Sequence, residues 1–182
     1  MAQPVTLWIQ QTDRTYAPHH GYVHAVHKLG SDGDAHAVQL TVSSWLHFLH
    51  YRHDARNWQD KTAEEILADV FNQHPRARGA FRFMLRDPLP VRSFVQQYED
   101  DWNFVHRLME GEGLFFHFEQ AEDGKSHTMV IVDSAHALPA ADPAQARFCR
   151  SGVGDESDGF THWEEAGELH STQLTTRTSD YK

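Results

Sequence analysis

Fifteen histidines stand among the 182 residues of this chain. Imidazole is a common zinc ligand and the usual proton carrier near neutral pH. The spacing invites attention: His24 and His27 are three apart, His47, His50 and His53 step by three, and His19 and His20 are adjacent. A helix over residues 45–53 would put His47 and His50 on one face. A zinc site wants three or four ligands converging tetrahedrally, often with cysteine or acid partners, and the His-Glu-x-x-His arrangement is absent. Solvated or hydrogen-bonded histidines are therefore the expectation, and a histidine-based metal-binding module is the alternative.

Other chemistries fare worse. His117-Phe118-Glu119 and His162-Trp163-Glu164 look like the start of a zinc-deaminase motif. The Pro-Cys-x-x-Cys half is missing, and Cys149 is the single cysteine. Arg147 and Arg150 flank Cys149, but no nucleophile motif surrounds it, and a half-buried strand cysteine is expected. Ser44, Ser93 and Ser126 lack the Gly-x-Ser-x-Gly elbow, and no glycine-rich loop fits a phosphate cradle. Asp100 and Asp101 invite a general acid and base, yet adjacent side chains at a helix start diverge and the helix dipole keeps them ionised. A cell-wall glycan hydrolase remains an alternative, because a carboxylate in an apolar pocket leaves no mark in the sequence. No catalytic, cofactor-binding or metal residue is assigned.

Charge narrows the partners. Twenty-six acidic residues against 16 basic ones give a net charge of -10, which repels a phosphate backbone. Arg76, Arg78, Arg82 and Arg86 are the nearest approach to a basic patch, and a solvated loop and strand face is expected there. No nucleic acid is expected as partner. No apolar run approaches the roughly 18 residues of a membrane span, and Met1-Ala2-Gln3-Pro4 lacks the charged and apolar regions of a signal peptide. One cysteine suits folding in a reducing cytoplasm.

The elements that must position these groups are mainly strands. Val5, Leu7 and Ile9 alternate with polar partners, Gly21–His27 makes a second strand, and Val38, Leu40 and Val42 face one way on a third after the turn at 30–34. Trp45–Leu49 fits one or two helical turns. Thr62 and Glu65 form a capping box ahead of Ala63, Ile66, Leu67, Val70 and Phe71, with Pro75 beyond. Strands are expected over Phe81–Leu85 and Val91–Tyr98. Glu99-Asp100-Asp101 then opens a helix whose inner face is Trp102, Val105, Leu108 and Met109, closed by Gly113. A hairpin follows, with Leu114, Phe116 and Phe118 on one arm and Met129–Val132 on the other; both of its faces are expected to be covered. Residues 134–146 read as an irregular connection, 152–159 as an acidic loop and Leu169–Ser179 as an edge strand.

One segment carries a family likeness. Val95-Gln96-Gln97-Tyr98-Glu99-Asp100-Asp101-Trp102-Asn103-Phe104-Val105-His106-Arg107-Leu108-Met109-Glu110-Gly111-Glu112-Gly113-Leu114-Phe115-Phe116-His117-Phe118 resembles the signature of VgrG, the spike protein of type VI secretion systems. Arg56-Asn57-Trp58-Gln59-Asp60-Lys61-Thr62, Gly21-Tyr22-Val23 and Trp45-Leu46 are similar to further stretches of that family. Asn57 stands where the family has an aliphatic residue, and Gly111 where it is usually acidic, at a cost of about 1 kcal/mol to the last helical turn.

The resemblance implies an α+β, mainly β fold: β-barrel domains of the phage baseplate hub type with an inserted helix-containing α/β subdomain. Its expected division is 1–50 for part of a first β-barrel, 51–145 for the inserted subdomain with two helices, and 146–182 for strands returning to that barrel or starting a second. The implied role is structural and non-catalytic, a homotrimeric hub linking the secreted tube below to a needle above. Effectors and a tip protein would attach through C-terminal regions that do not follow Lys182, so the expected piece is a fragment, the base of the spike. It would assemble in the bacterial cytoplasm and then be secreted or injected without a signal peptide, with no membrane insertion of this region.

Overall fold

The computed structural model describes residues 2–11, 13–33, 35–140, 145, 147–148, 159–169 and 175. The chain divides into two units, Met1–Ala140 and Ala141–Lys182.

The first unit opens with a three-stranded antiparallel sheet in the order β1-β2-β3, made of Gln3–Gln10, Tyr16–Asp32 and Ala35–Ser43. The middle strand is far longer than the Gly21–His27 expected from its apolar residues. It has to be, because β1 pairs along Tyr16–Val23 and β3 along Tyr22–Asp32, so β2 spans both partners end to end. Register shifts between Val23 and Ala25 and between Lys28 and Gly30 mark bulges, which bend such a strand and raise its twist.

A 3-10 helix, Trp45–Tyr51, leads into β4, His53–Lys61. The sequence pattern did not announce β4. Its half-buried positions are Asp54, Arg56 and Trp58, so its alternation is polar on both faces. It pairs antiparallel with β6, Arg92–Asp100. Between them lies α1, Ala63–Asn72, which starts on the expected capping box: the Glu65 N–H donates to Thr62 Oγ1 at 3.2 Å and the Thr62 N–H to Glu65 Oε2 at 2.9 Å. β5, Phe81–Met84, does not pair with β6 across the intervening turn. It lies parallel to β8, His127–Val132, which also pairs antiparallel with β7, Phe115–Gln120, as the expected hairpin. Met129–Val132 are all buried in this central strand.

α2, Asp101–Gly111, runs between β6 and β7. Its buried positions are Asp101, Phe104, Val105, Leu108 and Met109, an i, i+3, i+4, i+7 stripe. Phe104 thus occupies the inner face where Trp102 was expected. Gly113 follows at φ +70, the left-handed geometry that ends helices. The core is where the helices meet the sheet: Trp45, Leu49, Ile66, Leu67, Phe71, Phe104, Met129 and Ile131 are essentially inaccessible. No described helix is long and apolar enough to cross a membrane.

In the second unit, two-residue strands β9, Arg147–Phe148, and β10, Gly159–Phe160, pair in parallel. Cys149 and most of the expected Leu169–Ser179 strand lie outside the described residues.

Candidate functional site

The densest polar cluster sits where β6 becomes α2. Asp100 is the helix N-cap, and its Oδ1 accepts the Asn103 N–H at 2.7 Å while Oδ2 lies 3.0 Å from His50 Nδ1. Asp101 is wholly buried. Its Oδ1 accepts from Gln96 Nε2 at 2.8 Å, its Oδ2 from His74 Nε2 at 2.7 Å, and Arg52 Nε stands 3.8 Å away. Burial pushes both carboxyls toward the neutral form. Hydrogen bonds outweigh it, from Asn103 and His50 at Asp100 and from His74 and Gln96 at Asp101, so both titrate below the ordinary aspartate value. Each is a settled anion, whereas a general acid at neutral pH needs a raised proton affinity.

Beside this cluster the rings form a column. His24 and His47 lie 3.9 Å apart, His47 and His50 5.5 Å, His50 and Trp102 4.5 Å, and Trp102 and His106 3.9 Å. The column explains why Trp102 leaves the inner stripe of α2. His24 Nε2 lies 3.0 Å from Ser43 Oγ, and His106 Nδ1 donates to the Trp102 carbonyl at 2.8 Å. Burial lowers the proton affinity of His47, and His24 and His50 lower it further. This packing ties the 3-10 helix to β2 on one side and α2 on the other.

A third cluster joins the first sheet to the β7–β8 hairpin. His20 Nδ1 and His127 Nδ1 are 2.8 Å apart, both rings are buried, and His127 Nε2 accepts the Trp45 N–H at 3.2 Å. The His20 N–H donates to Gln120 Oε1 at 2.9 Å, and Thr6 Oγ1 donates to the Gly124 carbonyl at 2.5 Å. A cavity of about 510 Å³ opens alongside, its lining including Val5, Leu7, Val42, Phe118, His20 and His127.

Comparison with known proteins decides what scaffold these clusters hold together. The profile described as phage tail baseplate hub (GPD) matches residues 1–182, the whole chain. The chain belongs to the phage tail baseplate hub family. Among curated relatives, the type VI secretion system spike protein VgrG1b of Pseudomonas aeruginosa is 28% identical over 187 residues, covering 100% of this chain and 24% of the relative. VgrG4b of the same organism is 27% identical over 172 residues, 92% of this chain and 21% of the relative. The actin cross-linking toxin VgrG1 of Vibrio cholerae is 36% identical over 121 residues, 65% of this chain but 11% of the toxin. Among solved structures, an Escherichia coli component of the type VI secretion system, described as structurally similar to the T4 bacteriophage tail proteins gp27 and gp5, superposes with a TM-score of 0.64 at 22% identity. It covers 68% of this chain and 35% of that one. The chain spans about a quarter or less of the length of these three curated relatives.

The likeness to VgrG read from residues 95–118 therefore holds, and so does the mainly β, hub-type fold with helices set into it. Within this family framework the histidine runs separate. His47 and His50 do share a face, His27 and His53 are exposed on strands, and among the described residues no group of three His, Cys, Asp or Glu side chains is placed to hold a metal ion. The four arginines are dispersed: Arg76 lies 4.5 Å over the Tyr22 ring, Arg78 Nε donates to the Asn72 carbonyl at 3.0 Å, and Arg82 pairs with Glu119. Arg86 contributes its backbone N–H to Asp133. His117 reaches Glu119 at 3.7 Å with both ring nitrogens enclosed, and His162 reaches Glu164 at 2.8 Å as an exposed local pair. Ser93 and Ser126 are exposed, and Ser44 precedes the 3-10 helix without a side-chain capping bond. Sequence reasoning missed His20 with His127 and His74 with Asp101, whose partners are 107 and 27 residues apart. The one available signal was a histidine, His127, heading a mostly apolar strand.

Proposed function

We propose that this chain is the base of a type VI secretion spike, a non-catalytic hub that trimerises and links the secreted tube to a needle. Structural spike relatives and a baseplate hub match over the full chain support the role. The observation that carries the non-catalytic part is Asp101. This carboxylate of the signature segment is wholly enclosed and tied to β6, α2 and the loop after α1. A side chain so placed binds elements together and meets no substrate.

In this reading residues 1–50 are part of a first β-barrel, 51–145 an inserted α/β subdomain, and 146–182 strands of that barrel or the next. The partners are two sister chains, the tube protein below, and effectors and a tip protein held by regions that lie elsewhere in the relatives. The hub assembles in the bacterial cytoplasm and leaves with the spike.

Light scattering on a version extended by the needle-bearing regions of its relatives tests the proposal. A mass of three chains is expected, and a strict monomer at micromolar concentration would overturn it. A zymogram on purified peptidoglycan is expected to stay uncleared.

A further inference from the structure

We propose that the His20–His127 pair is a pH-sensitive latch, holding the first sheet on the β7–β8 hairpin at neutral pH and releasing it in acid. The hydrogen-bond order around the two rings fixes their protonation. His127 Nε2 receives the Trp45 N–H, so it must carry a lone pair. The proton of neutral His127 is then on Nδ1 and points at His20 Nδ1, 2.8 Å away, which must accept it. His20 in turn carries its proton on Nε2, a buried atom with no partner among the described residues. The chain runs in one direction, from the Trp45 amide through His127 to His20, and uses both imidazole lone pairs.

Any added proton must take one of those two lone pairs. On His127 Nε2 it faces the Trp45 N–H, and on His20 Nδ1 it faces the His127 N–H. Either way two donors confront each other at largely buried rings, where burial also disfavours the added charge. The pair is therefore closed only when both rings are neutral.

The surroundings leave this logic standing. From β2 come Tyr22, whose ring is 5.2 Å from His20 and 5.9 Å from His127, and His19, which lines the same cavity. Arg76 lies over Tyr22 from the segment after α1. The β7–β8 turn supplies Asp123, which is 4.0 Å from Lys125, and β7 supplies the neutral Gln120 and Phe118. Asp123 favours a proton on His20, but burial disfavours it more, and His20 titrates below the ordinary histidine value. Burial, with His20 second, pushes His127 down to about 4 from 6.5.

The sign follows. A histidine with a depressed value in the closed state stabilises that state fully above 6.5, and the contribution fades as pH falls toward 4. Over that window the closing equilibrium weakens on the order of a hundredfold. What opens is the contact of β1 and β2 with the hairpin, along with the apolar cavity between them.

The test uses the full chain. Imidazole nitrogen shifts are followed from pH 8 to 4, and amide hydrogen exchange, corrected for its intrinsic pH dependence, is compared at pH 7.5 and 4.5. Expected are an Nδ1–H tautomer for His127, an Nε2–H tautomer for His20, and no protonation of His127 above pH 5. Protection of the β1, β2 and β7 amides should fall at least tenfold at pH 4.5 while α1 and β4 stay protected. The reverse tautomers, titration of His127 near 6.5, or uniform loss of protection across the unit would each overturn the latch. His127→Gln, whose amide oxygen still accepts from Trp45, is expected to flatten the pH response; an unchanged response would also overturn it. Should that variant not fold, the wild-type imidazole titration decides alone.

Discussion

Asp101 is the residue on which the signature segment turns. Its carboxylate is fully desolvated and its two oxygens are used by Gln96 and His74, with Arg52 behind. Removing one member of such a group leaves the others buried and unpaired, which costs more than the bonds contribute. Asp101→Asn keeps an acceptor for Gln96 but turns an amide N–H toward His74, and is expected to cost about 1–3 kcal/mol in urea unfolding at pH 7. The pH sense is equally specific. A folded value below the ordinary 3.8 gives stability that is present above that value and lost as pH falls through the folded one. The wild type should therefore lose more stability than the variant between pH 5 and 2.5, and parallel curves would remove Asp101 from the account. Capping and ionisation at the helix start were legible from Glu99-Asp100-Asp101. That Asp101 faces inward was not, because its partners arrive from β6, from the 3-10 helix's exit and from beyond α1.

At the scale of elements, two left-handed glycines separate backbone strain from crowding. Gly113 ends α2 at φ +70, with no atom of the described residues within 4 Å of where a Cβ would stand. Gly124 turns the β7–β8 hairpin at φ +67, and there a Cβ would lie 2.7 Å from Trp8 and 2.9 Å from Thr6. Alanine at 113 is expected to cost about 1 kcal/mol, the backbone penalty alone. Alanine at 124 must also push β1 off the hairpin and is expected to cost about 2–4 kcal/mol in total. Equal losses in thermal or urea unfolding would mean that β1 does not press on that turn. The same contrast shows what the sequence could say. Gly113 was placed correctly because a helix stop is a local signal, as was the capping box of α1. The role of Gly124 depends on a strand 118 residues away. β4 escapes binary patterning because its inward residues are Asp54, Arg56 and Trp58: Arg56 Nε donates to Asp54, Trp58 Nε1 donates to Asp69 of α1, and a two-letter apolar/polar code has no symbol for a paired inward charge.

For the whole first unit, the balance is between a tight core under the helices and a half-open apolar face on the first sheet, part of which walls the cavity beside the hairpin. Val26, Val38, Leu40 and Val42 are 42–50% exposed on paired strands, and Leu7 and Ile9 on β1 are 62% and 43% exposed. Cross-strand partners project to the same side, so Val26 with Leu40 and Val42 with Val23 build one apolar surface. Contiguous surfaces of this kind are rare on monomers and mark interaction sites, which agrees with the trimeric hub proposed above. If so, the face adds little to the fold of the chain alone. Val38→Glu places a carboxylate directly opposite Lys28, and Val26→Lys adds an opposite charge nearby. The double variant is expected to keep its urea midpoint within about 0.5 kcal/mol of wild type, as exposed sites do. It should also bind less of a dye that reports exposed apolar surface and scatter less light at high concentration. A loss of more than about 2 kcal/mol would instead make this face part of the unit's own core. The family match would stand, and the half-open sheet face could no longer be counted as a surface reserved for a partner.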